Sequence, residues 1–291
     1  MKTKNYLLIG MIALSGVFAF TSCSDDDDNS SAEEELSTET VDLAQEASTT
    51  ESIDGEIDAS IDEAIAYSEQ QGAMEIEEAA AESECATVTV TPDDETFPKT
   101  ITIDFGDGCD GLSGLTRSGS ITIVITDSLR NPGAEYTATF DNYAVEGFAV
   151  TGSKSSQNTG TKEASSFTEE MDLTLTTPSG IEIQKQKTIT REWIEGMDTY
   201  TLVDDVFLLS GSAEVTSTSG RSYSYTITEP LKIARTCENI LEGVIEIDWS
   251  GQEDPVTIDY GEGMCDWKVY ISQGRRIMRR QVYLSSFNEN S

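Results

Sequence analysis

Six carboxylates sit in two matching glycine-rich turns. Asp104, Asp107 and Asp110 surround the Gly106-Asp107-Gly108 step, and Asp259, Glu262 and Asp266 surround Gly261-Glu262-Gly263. Carboxylate oxygens are the donors that a hard cation such as Ca²⁺ takes, so these six are the calcium candidates. Their spacing lacks the twelve-residue calcium loop with its closing bidentate Glu. The glycines instead favour a tight turn at a strand end, because they supply positive φ at no steric cost. The chain has no histidine. That excludes Ser-His-Asp and Cys-His catalysis, His-ligated zinc and a histidine pH switch. Two-carboxylate hydrolysis and Ser-Lys chemistry stay open, but acids are abundant without any spacing that places a pair in a cleft. The expectation is therefore no catalytic residue, no metal and no dissociable cofactor.

The cysteines are Cys23, Cys85, Cys109, Cys237 and Cys265. The last four belong to the same two segments as the turns. Ile101-Thr102-Ile103-Asp104-Phe105-Gly106-Asp107-Gly108-Cys109-Asp110 parallels Val256-Thr257-Ile258-Asp259-Tyr260-Gly261-Glu262-Gly263-Met264-Cys265-Asp266. Cys85 precedes the first and Cys237 the second, and Pro98 and Pro255 stand just before the two strands. The shared order is cysteine, strand, loop, strand, turn, cysteine. It favours Cys85–Cys109 and Cys237–Cys265 among the three pairings open to four cysteines, each bridge closing one hairpin. A crossed pairing would instead staple the two halves together. Four paired cysteines suit an oxidising compartment.

Cys23 has another role. Lys2 and Lys4 precede an apolar stretch from Tyr6 to Phe20, about fifteen residues and short for a transmembrane helix. The stretch runs into Phe20-Thr21-Ser22-Cys23, which resembles a lipobox, the site of thioether lipidation and cleavage. The resemblance implies a signal peptide over 1–22 and a covalent lipid on Cys23, with several acyl chains anchoring the protein stably. Asp25, Asp26, Asp27 and Asp28 follow at once. They resemble the export signal of surface lipoproteins in one large group of Gram-negative bacteria, which implies an outer-membrane protein facing the cell exterior.

Residues 24–84 hold 22 acids and no Lys or Arg, within a chain of net charge −36. Unpartnered like charges favour an extended chain, so 23–84 is expected to be an acidic tether, disordered over 24–50. Ile53, Ile57, Ile61 and Ile65 recur every four residues and predict one short helix near 53–69, docking at the entrance of the domain that follows. The charge repels nucleic acid and anionic headgroups alike.

From Cys85 to Ser291 the chain is rich in Thr, Ile, Val and Tyr with period two. The pattern predicts an all-β domain, a large antiparallel meander or sandwich of about 11–12 strands. The run Ile181, Ile183, Lys185, Lys187, Ile189, Arg191, Trp193 keeps one face but turns from aliphatic to basic and back. A structural salt-bridge ladder is the favoured reading, a ligand groove the alternative. Arg275, Arg276, Arg279 and Arg280 form a basic cluster expected to pair with acids of the tether or sheet.

Tyr136 to Tyr143, Gly211-Ser212-Ala213 and Val256 to Asp266, taken together, resemble an uncharacterised family of β-rich surface lipoproteins. That resemblance implies an extracellular β domain and carries no activity. The functional expectation is a non-enzymatic structural or ligand-binding lipoprotein, joined to the outer membrane through its lipid, with a glycan or a surface protein as the partner class. A glycan-binding module is the alternative, with Trp193, Trp249 and Trp267 as stacking candidates. A carboxylate-dependent hydrolase ranks below it.

Overall fold

The computed structural model describes residues 36–70 and 85–281, apart from Tyr200, Glu238 and Trp267. Cys23, Asp25 to Asp28, the expected signal peptide and the segment 71–84 lie outside the described residues. Among the described residues one helix, α1 (Thr38–Gln70), precedes fourteen strands. These are β1 (Thr87–Thr91), β2 (Lys99–Asp104), β3 (Cys109–Asp110), β4 (Thr116–Ile125), β5 (Glu135–Val145), β6 (Phe148–Asn158) and β7 (Ser166–Thr176). They continue with β8 (Glu182–Glu195), β9 (Val206–Ser217), β10 (Ser222–Ala234), β11 (Glu242–Trp249), β12 (Val256–Glu262), β13 (Lys268–Gln273) and β14 (Arg276–Gln281). All belong to one antiparallel sheet in which strands follow chain order, with the two-residue β3 lying beside β4. The all-β expectation holds as a single meander, with more strands than the pattern predicted.

Period-two sequence gives the sheet one dry and one wet face. A single row of directly opposed residues crosses the inner face from β2 to β12. It runs Ile101, Ile123, Ala138, Lys154, Met171, Lys187, Ala213, Tyr225, Ile247, Val256, and every member is buried. The neighbouring outer row is Thr102, Thr122, Thr139, Ser153, Asp172, Gln186, Glu214, Ser224, Asp248. The sheet bends where its register slips, at Ser118/Ser120, Thr139/Ala144 and Ile227/Glu229. Such bulges increase twist and let a sheet coil. Gly119 makes the first bend possible: its φ is 74°, and a Cβ there would stand 2.1 Å from the Asn142 carbonyl oxygen.

The inner face wraps α1. The helix has 33 residues, about 50 Å of axis at ~1.5 Å per residue. It reaches strands all around the sheet: Ser60 bonds Tyr143 on β5, Asp58 bonds Lys154 on β6, Glu51 bonds Tyr225 on β10, Ser48 bonds Tyr260 on β12 and Thr40 bonds Gln273 on β13. Ile53, Ile57 and Ile61 are fully buried, with Ile65 nearly so. The isoleucine stripe therefore marks a core helix rather than one docked at the entrance. The helix is also longer than the expected 53–69, and residues 38–50, expected to be disordered, belong to it. The Ser37 hydroxyl caps its start, accepting the Thr40 amide at 3.1 Å. Its Ser, Thr and Asp content is a poor helix-forming composition. Ser60 and Ser52 even bond back to the carbonyls of Glu56 and Ser48. Tertiary partners, not local propensity, hold it helical.

Candidate functional site

The dominant chemistry lies between α1 and the sheet. Glu51, Asp54, Asp58 and Asp62 recur at spacings of three and four, so they share one helix face. Glu56, Ser60 and Glu63 share another. Seven helix acids are buried: Glu46, Glu51, Asp54, Glu56, Asp58, Asp62 and Glu63. Among the described residues seven bases are buried on the sheet side: Lys99, Arg117, Lys154, Lys185, Lys187, Arg191 and Arg235. An isolated buried ion is costly, so the direct pairing of helix acids with sheet-side cations is what lets the helix enter the sheet at all.

The pairs form three groups. In the first, Lys185 Nζ lies 2.5 Å from Glu51 Oε1 and 2.7 Å from Asp54 Oδ2, and Lys187 Nζ lies 2.8 and 2.9 Å from the same two acids. The Tyr225 hydroxyl also donates to Glu51. Burial would raise the Glu51 carboxyl, but the two ammonium groups outweigh it and hold it down to about 2. Burial would lower Lys187, and the same two acids hold it above its ordinary value.

The second group joins β6, β7 and β8 to the helix. Lys154 Nζ donates to Asp58 and, at 2.6 Å, to Glu169 Oε2. Arg191 donates from Nε to Glu169 at 2.8 Å and in a fork to both Asp62 oxygens at 2.7 and 3.2 Å. Arg235 also donates to Asp62. The acids of this group diverge. Burial raises Asp58, and Glu169 reinforces it against the pull of Lys154. Burial is outweighed at Glu169 by Arg191 and Lys154, and at Asp62 by Arg191 and Arg235, so both are lowered. In the third group Arg117 donates to Glu63 at 2.7 Å and lies 3.4 Å from Glu56. Its guanidinium also stacks 4.3 Å from the Phe105 ring centroid.

At the C-terminal end of α1 a small cleft is lined by Asp62, Leu129, Arg130, Trp193, Asp205 and Phe207. Its free volume is about 30 Å³, room for one water rather than a sugar or peptide. Asp205 accepts from Trp193 Nε1 at 3.1 Å. Burial, then Asp62, pushes its carboxyl up to about 7.

The run Lys185, Lys187, Arg191 thus forms the ladder that its pattern predicts, with helix acids as partners that the sequence did not identify. Cys85–Cys109 and Cys237–Cys265 are the two disulfides, with Cα atoms 5.6 and 5.9 Å apart, and each closes a hairpin, β1–β2 and β11–β12. The calcium candidates serve turns. Asp104 and Asp259 each accept the amide of the glycine two residues on, at 2.8 Å. Asp110 accepts the Thr116 hydroxyl, Asp266 accepts from Lys268, and Asp107 and Glu262 are exposed. Among the described residues no three His, Cys, Asp or Glu converge to hold a metal ion. Trp193 is half-buried and packs on Phe207, 5.6 Å between ring centroids, and Trp249 packs half-buried against the core. Trp267 lies outside the described residues. Arg275 is exposed and Arg276 half-buried, while the side chains of Arg279 and Arg280 lie outside the description. No described helix is long and apolar enough to cross a membrane. No protein-family model, curated protein or solved structure matches this chain.

Proposed function

We propose that this chain is a lipid-anchored, outward-facing module of the outer membrane that works through its exterior, in a structural or ligand-binding role without catalysis. The observation that carries this reading is the filled interior. A coiled sheet commonly holds its ligand on the concave face, and here α1 occupies that face from Thr40 at Gln273 to Glu69 at Leu129. What remains for recognition is the outer carpet of Thr, Ser, Gln and acids, and the loops at the strand ends. Polar hydroxyls, amides and carboxylates in rows suit a glycan or a surface protein better than an apolar ligand. The helix begins fifteen positions after Cys23.

Fractionation and surface proteolysis of intact cells test the reading together. The wild-type chain is expected in the outer membrane, labelled by a palmitate analogue and cut by external protease. Cys23→Ser is expected to lose the label and leave the membrane. Replacement of Asp25 to Asp28 by Ala is expected to keep the label and lose the cutting. A membrane-bound, equally labelled Cys23→Ser variant would defeat the anchor, and a quadruple variant still cut at the surface would defeat the export role of the aspartates.

A further inference from the structure

We propose that Lys154 and Asp58 become joined by an intramolecular amide bond after folding, with Glu169 carrying the proton between them. Lys154 is wholly buried, and its Nζ is hydrogen-bonded at once to a carboxylate of the helix and a carboxylate of the adjacent strand. The residues are 96 positions apart in the chain, so only the completed fold brings them together. Held in contact, amine and carboxyl react as one molecule, which replaces a bimolecular encounter by an effective concentration of roughly 10⁵ M or more for well-oriented groups. Water opposes amide formation by solvating both ions and by reversing the reaction. Here both groups are desolvated, so conversion of an ion pair to a neutral amide removes two buried charges.

The two carboxylates are differentiated as the reaction requires. Asp58, pushed upward by burial and by Glu169, is the one that accepts a proton and becomes an electrophile. Glu169, held as a carboxylate by Arg191 and Lys154, is the base. The Lys154 ammonium passes one proton to Asp58, leaving a free amine beside a neutral acid. The amine lone pair attacks Cγ, forming the C–N bond and placing the carbonyl electrons on oxygen, where Arg191 and Arg235 act as neighbouring positive charges. The nitrogen gives its second proton to Glu169. The carbonyl reforms, the C–OH bond breaks, and the hydroxyl leaves with the proton from Glu169 as water. Glu169 ends as it began, and the products are one amide and one water. The Lys185 and Lys187 group offers the contrast. Each of its acids serves two lysines, Glu51 stays ionised down to about 2, and Lys187 is held as ammonium, so the Glu51–Lys187 pair offers neither a neutral acid nor a free amine.

The test digests the reduced, full-length protein with a Glu-specific protease and reads the peptides by mass. Asp58 falls in residues 57–63 and Lys154 in residues 147–163. The expected product is a branched peptide joining these two segments, one water lighter than their sum. It is absent from Lys154→Arg, which keeps the charge without the nucleophile. On a reducing denaturing gel the wild type is expected to run ahead of that variant. Glu169→Gln, with folding checked by circular dichroism, is expected to slow the linkage at least tenfold. Recovery of both linear peptides from the wild type in full yield, with no branched product, would overturn the proposal whatever the variants do. A folded Glu169→Gln protein that links at the wild-type rate would overturn the role of Glu169.

Discussion

The same strands carry two faces that use polar residues in opposite ways. On the outer row, Ser153, Asp172, Gln186 and Glu214 stand side by side across β6 to β9 and meet water. On the adjacent inner row, Lys154 and Lys187 stand across the same strands and meet α1. An outer carboxylate is solvated, and its loss changes little. An inner cation is desolvated, and its loss strands the acids it faces. The energetics of a charge here depend on which face of the pleat it occupies, and one residue of register separates the two outcomes.

Arg191→Met is expected to be the most damaging, because it leaves Asp62 with Arg235 alone and strips Glu169 of its guanidinium. Breaking a buried ion pair from one side costs about 3–5 kcal/mol, measurable as a lowered midpoint in chemical denaturation. Next is the double replacement Cys237→Ala with Cys265→Ala. It removes one local staple, for which loop-closure entropy gives about 3–4 kcal/mol, and is expected to leave Cys85–Cys109 oxidised in a peptide map.

Much of this contrast was legible in the sequence, and part of it was not. Alternation along β7 and β10 and the repeated cysteine-turn order were enough for an all-β meander or sandwich with two closed hairpins. The basic interruption at Lys185, Lys187 and Arg191 was visible as an anomaly on an inward face. The full helix is not legible locally because no Lys or Arg lies between Lys4 and Lys99, so by local pattern its acids resemble a solvated tether. Their partners are more than 50 positions away in every buried case, from Arg117 with Glu63 to Arg221 with Glu46. Ile53, Ile57, Ile61 and Ile65 carried the true signal. A second signal was present on the other side, in inward-facing bases of a β domain whose described residues include no buried acids beyond Glu169 and Asp205.

The buried acids also set the pH dependence of stability. Glu51, Asp62 and Glu169 are lowered in the fold, so their contribution is present above about pH 4 and is lost as pH falls toward 2. Asp205 is raised to about 7, so it binds its proton more tightly in the fold and stability declines as pH rises from about 4 through 7. Together these give greatest stability in mildly acidic solution. Asp205→Asn keeps an acceptor for Trp193 and is expected to raise the melting temperature at pH 8 but not at pH 4. A gain of equal size at both values would show that Asp205 titrates normally. The smallest effect is expected on the outer row. Glu214→Gln removes an exposed charge and should shift stability by no more than about 0.5 kcal/mol. A loss as large as that of Arg191→Met would mean that the two faces do not differ as described.

Helix α1 is the core of the domain rather than a tether. Amide hydrogen exchange on the intact protein measures this segment by segment. Residues 43–65 are expected to exchange as slowly as β7, β8 and β9, opening only with global unfolding. Exchange of that segment at the rate of an unstructured chain, while the sheet stays protected, would contradict the helix-filled fold and the ion pairs built on it.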